Sequence, residues 1–111
     1  MLQNKKTTEQ VHALIDVINT YQSLRKKVGE LQLQLSITEL SVLGCIFINI
    51  DTPSKIADKL SIERATVSRS LDILELHKYI SRSTSQQDRR YVLIEITSTG
   101  SRLMDKMTGR I

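Results

Sequence analysis

"DTPSKIADKLSIERATVSRSLDILELHKY", residues 51–79, holds two helical patterns with a two-residue break between them. Thr52 is placed to cap the first, and Pro53 stands at its opening position, where a missing N–H costs nothing. Ile56, Ala57 and Leu60 give that short helix one apolar face, and Ser61 and Ile62 make the tight turn. In the second helix, read from Glu63 to Lys78, Val67, Leu71 and Leu74 fall at helical spacing and are expected in the core. The opposite face is small, hydroxylic and basic: Ala65, Ser68, Arg69 and Asp72, with Arg64 and Thr66 flanking them in the first turn. Small residues let a backbone come close to a duplex, and hydroxyls and arginines donate to bases and phosphates. The pattern is that of a helix-turn-helix. An ordinary solvated face carries the same residue types, so this stretch alone leaves both readings open.

The residues from Ile80 onward shift the balance. "ISRSTS" and "RRYVLIEIT" are β-prone runs separated by Gln86, Gln87 and Asp88, a hairpin pattern in which Val92, Ile94 and Ile96 are expected to alternate toward the core. Arg82, Arg89 and Arg90 concentrate near its tip with only Asp88 against them, and a strand needs no such cluster in order to fold. A helix-turn-helix succeeded at once by a basic hairpin is a winged helix. Its tip is expected at a phosphate-lined minor groove. An aspartate beside such an arginine can hold the guanidinium in one rotamer, so that less entropy is lost on entering the groove.

Upstream, "SITE" at 36–39 pairs Ser36 with Glu39 as a capping box opening a helix through Phe47 or Ile48. Ile37, Leu40, Leu43 and Phe47 occupy one side of it and Val42, Cys45 and Ile46 the other, which predicts a buried central helix between neighbours or between subunits. Residues 8–28 form an amphipathic helix with Val11, Leu14, Ile15, Ile18 and Tyr21 on one stripe. Arg25, Lys26 and Lys27 suit its negative end, and Gly29 is expected to stop it. Thr97 caps a last helix beginning near Ser98.

The chain of 111 residues is expected to be one winged-helix domain over 1–111, mainly α with a small β-hairpin. A hydrophobic fraction of 40% and a charged fraction of 25% are those of an ordinary globular chain, and a net charge of +4 leans toward polyanions. No apolar run is long enough to span a bilayer, so no membrane partner is expected; "MLQNKKTTEQ" lacks the features of a signal peptide. A single cysteine, Cys45, excludes an internal disulfide framework and suits a reducing cytoplasm; in an apolar helix it reads as a core residue. His12, His77 and Cys45 have no metal-binding spacing, and neither metal nor cofactor is expected. No glycine-rich phosphate loop or nucleophile elbow is present, so the chain is not read as an enzyme.

"SITELSVL", "IADKLSIERATVSRSLDIL" and "DRRYVLIEITSTG" together resemble the MarR family of bacterial winged-helix transcription regulators, over residues 36 to about 104. The resemblance implies a cytoplasmic homodimer, a repressor more than an activator, on double-stranded DNA with a pseudo-palindromic operator. Arg64, Ala65, Thr66, Ser68 and Arg69 would read the major groove, Ser54 would meet the DNA backbone, and Arg82, Asp88, Arg89 and Arg90 would serve the wing. Many such regulators also respond to a small-molecule effector. Two departures stand out. Lys78 occupies the place where the family usually has glycine, and the long closing dimerisation helix is missing. Either the sequence is a piece of a longer one, or dimerisation uses residues 8–28 and 98–111, as in shorter SarA-like relatives. The rival reading is a winged helix that binds protein instead of DNA.

Overall fold

Five helices and one antiparallel hairpin make up the computed structural model, which describes residues 5–84, 87 and 92–109. Their order is α1 (Lys5–Glu30), α2 (Ile37–Phe47), α3 (Pro53–Leu60), α4 (Arg64–Leu76), β1 (Ile80–Thr84), β2 (Val92–Ile96) and α5 (Ser98–Thr108). The chain divides into two compact units, Met1–Gln34 and Leu35–Ile111.

The first unit is α1, longer than the expected 8–28. None of its residues is buried. The predicted stripe of Val11, Leu14, Ile15, Ile18 and Tyr21 is 46–58% exposed, and Val17 is exposed beside it. Gly29 does not stop the helix, because a stop needs a residue in the left-handed conformation and Gly29 keeps helical geometry. Gln32 supplies it at φ 52°. The Gln32 N–H then donates to the Gly29 carbonyl at 3.1 Å, and the Leu33 N–H to the Val28 carbonyl at 3.2 Å.

The second unit is built around α2. Ser36 Oγ accepts the Glu39 N–H at 3.3 Å while the Glu39 carboxylate accepts the Ser36 N–H at 3.1 Å, the reciprocal cap that the sequence predicts. Leu40, Val42, Leu43, Cys45 and Ile46 are buried, and α2 packs on α3, α4, α5 and β2. Thr52 Oγ1 caps α3 by accepting the Lys55 N–H at 3.3 Å, and Ile56 and Ala57 enter the core. Ser61, left-handed at φ 54°, makes the turn into α4. Val67, Leu71 and Leu74 are buried as their spacing predicts, joined by Ser70.

Strand β1 pairs with β2 from Ile80 opposite Ile96 to Thr84 opposite Val92. Ile94 is buried and Ile96 half-buried, but Val92 is 50% exposed, against the expected alternation. It lies at the far end of the ladder, beyond the last buried side chain of the strand pair. Thr97 caps α5 by accepting the Gly100 N–H at 3.1 Å.

Candidate nucleic-acid interface

The sequence builds the outer face of α4 by sorting its residues around the helix. Val67, Ser70, Leu71 and Leu74 take the buried side, which leaves Arg64, Ala65, Ser68, Arg69 and Asp72 exposed and Thr66 half-buried. The first turn carries no acidic residue, so its free N–H groups and Arg64, with Arg69 a turn further on, give this end of the helix positive character beside the exposed Glu63 at the N-cap. Arg69 is steadied within the helix: its Nη2 donates to Thr66 Oγ1 at 3.3 Å. Ser54, half-buried, is the second residue of α3. The structure therefore brings Arg64, Ala65, Thr66, Ser68 and Arg69 together on one helix.

The wing's contribution divides. Asp88, Arg89 and Arg90 lie outside the described residues. Arg82 stands on β1, and its Nη2 donates to Asp72 Oδ1 at 2.6 Å and to Glu75 Oε1 at 2.9 Å. Its side chain is 26% exposed. The hydrogen bond from Arg82 holds the Glu75 carboxyl below its ordinary range, and the same two carboxylates raise the guanidinium. Sequence reasoning missed this cluster. It read Asp72 as merely outward-facing and gave Glu75 no role. The available signal was two acids three residues apart on a helix, with an arginine early in the next strand.

The passage from α4 to β1 is tightly held. Lys78 is left-handed at φ 64°, in the place where glycine is usual in the resembled family. Its N–H donates to the Glu75 carbonyl at 2.9 Å, and the Tyr79 N–H to the Leu74 carbonyl at 2.9 Å. The Thr97 hydroxyl donates to the Lys78 carbonyl at 2.7 Å, with the Tyr79 carbonyl 3.0 Å away. Gly100 closes against the same backbone: a Cβ there would meet the Tyr79 carbonyl oxygen and lie 2.7 Å from Ile96 Cγ1.

Cys45 is 5% exposed, and burial pushes its thiol up, with Lys59 opposing that shift. It is a core thiol, not a thiolate. Among the described residues, no group of three or more His, Cys, Asp or Glu side chains is placed to hold a metal ion. No described helix is long and apolar enough to cross a membrane.

Residues 24–107 match the SarA/Rot family of transcriptional regulators. The HTH-type transcriptional regulator YhbI of Bacillus subtilis is 28% identical over 110 residues, which span 96% of this chain and 71% of that protein. PapX of Escherichia coli, another HTH-type transcriptional regulator, is 39% identical over 57 residues, 51% of this chain and 35% of that protein. Among solved structures, a MarR family protein from Bacillus stearothermophilus has the same fold, with a TM-score of 0.74 at 18% identity over 98% of this chain and 76% of that one. A variant of Staphylococcus aureus MepR bound to an oligodeoxyribonucleotide gives 0.75 at 26% identity over 92% of this chain and 74% of that one. Streptococcus pneumoniae FabT in complex with DNA gives 0.68 at 28% identity over 93% of this chain and 74% of that one.

Proposed function

This chain belongs to the SarA/Rot family of transcriptional regulators, and on that basis we propose that it binds double-stranded DNA as a homodimer and represses transcription from a pseudo-palindromic operator. It is a regulator and not an enzyme. One observation carries the reading: the exposed face at the start of α4 is small, hydroxylic and basic, and free of acidic residues in its first turn. Ala65 and Ser68 let the helix backbone approach base edges, while Arg64, Thr66 and Arg69 supply donors to bases and phosphates. Ser54 meets the DNA backbone at the opening of α3. On the wing, Arg89 would serve DNA binding beside Arg90, which, steadied by Asp88, would enter the minor groove. MepR and FabT, similar in fold and over 25% identical, were both solved with nucleic acid bound, which supports the same partner here.

Dimerisation through α1 and α5 is inferred from the exposed stripe on α1, since a helix of this length with no buried residue lacks the packing that stabilises helices in water. A dimer seated on promoter DNA obstructs polymerase, hence repression in the cytoplasm, and a small-molecule effector would act by changing the separation of the two α4 helices. A fluorescence titration of the intact chain on a mixed-sequence duplex tests the DNA reading. Affinity should fall steeply between roughly 50 and 200 mM salt, as expected when several phosphates are neutralised. No binding at low salt would point to a protein-binding winged helix.

A further inference from the structure

Two ties join β1 to α4. The first is the turn His77–Tyr79, held by the left-handed Lys78 and by Thr97. The second is Arg82, whose single Nη2 reaches both Asp72 and Glu75, at 2.6 and 2.9 Å. One tie leaves a hinge, whereas two separated ties fix an angle. Arg82 stands opposite Ile94, the buried residue of β2, so the second tie falls at the middle of the described strand pairing.

We propose that Arg82 is a positioning residue which locks the wing to the recognition helix at a set angle, and that it does not contact DNA. The inference rests on the DNA-reading function proposed for this chain. Asp72 and Glu75 lie one turn apart on α4, and without Arg82 their charges repel each other and any nearby phosphate. Moving the guanidinium to a phosphate would break two charge-assisted bonds and leave two bare carboxylates beside a polyanion. The arginine therefore stays with its acids when DNA is bound. Its charge is already neutralised, so it displaces no counterion. Its effect is preorganisation: helix and wing meet the duplex without first losing the freedom of their joint.

The test compares the wild type, Arg82→Ala, and the exchange Arg82→Glu with Glu75→Arg, which keeps net charge and rebuilds a cation between two acids. Each intact protein is titrated, over a range of salt, on a duplex that the wild type enriches from a random pool and on a scrambled duplex. Arg82→Ala, which also bares two carboxylates to either duplex, should lower the enriched-to-scrambled affinity ratio about fivefold. The exchange should restore most of that ratio. In the free proteins, amide exchange along β1 should quicken in Arg82→Ala and recover in the exchange. A salt slope shallower by about 0.9 in Arg82→Ala, unrepaired by the exchange, would make Arg82 a phosphate ligand and overturn the proposal. Should Arg82→Ala not fold, the exchange decides alone: wild-type slope and ratio support the lock, and a shallower slope refutes it. A wild type that binds neither duplex removes the DNA-reading function itself, a different failure.

Discussion

Lys78 takes a left-handed conformation that a side chain disfavours by about 1–2 kcal/mol. Glycine there would relieve that strain but lose more entropy on folding, by roughly 0.5–1 kcal/mol. Lys78→Gly should therefore raise stability by about 0.5 kcal/mol, seen as a higher urea midpoint with an unchanged m-value. Gly100 is the converse case. Its missing Cβ admits the Tyr79 carbonyl, so Gly100→Ala should lower stability by about 1–3 kcal/mol, the range for overpacking a tight site. Cys45→Ala should leave the response to peroxide unchanged, since a buried thiol with a raised pKa is a poor nucleophile. A wild type that loses function in peroxide beside a resistant variant would make Cys45 a sensor. At this scale the sequence was legible wherever chemistry is local. Ser36, Thr52 and Thr97 cap as read because a cap involves a side chain and an N–H three residues on. Gly29 misled because a stop depends on which residue turns left-handed, and that was Gln32.

Among elements, α4 was readable from its period and the hairpin from its two β-prone runs, because burial of one face imposes a period on a helix and selects β-formers in a strand. What stayed hidden depended on where elements meet. Val92 has the right parity for the core, but parity does not say where the core ends along a strand. The bridge from Arg82 to Asp72 and Glu75 needs the seating of β1 against α4, which no single-sequence pattern encodes. That bridge has a pH signature. The Glu75 carboxyl is depressed in the folded chain, so its contribution is present above the ordinary carboxylate pKa and lost as pH falls through the depressed value. Glu75→Gln should thus be less stable than wild type at neutral pH, with the gap narrowing below about pH 4.3 in thermal melts across pH. The two proposed reading elements also separate by mutation. Arg69→Ala should cost roughly 1–3 kcal/mol of discrimination between operator and scrambled duplexes. Arg90→Ala should weaken binding to both together and flatten the salt dependence, because minor-groove attraction is mainly to negative potential.

For the whole molecule, the winged helix and its family were legible, whereas the assembly is a proposal argued from one exposed face. The stripe on α1 that periodicity predicts stays open to solvent in this chain. Light scattering at micromolar concentration should give a dimer, and Leu14→Asp with Ile18→Asp should give a folded monomer with weakened operator binding. In the proposed dimer two α4 helices face one side of the duplex about 34 Å apart, one turn of DNA. Sequence-specific reading by such a dimer is open to a single measurement: selection of fragments bound by the intact chain from random double-stranded DNA, with sequencing of what is retained. The dimer should enrich a motif of two inverted half-sites whose centres lie about 10 base pairs apart, or a multiple of that turn. Recovery of fragments with no shared sequence, or of none above background, would contradict it.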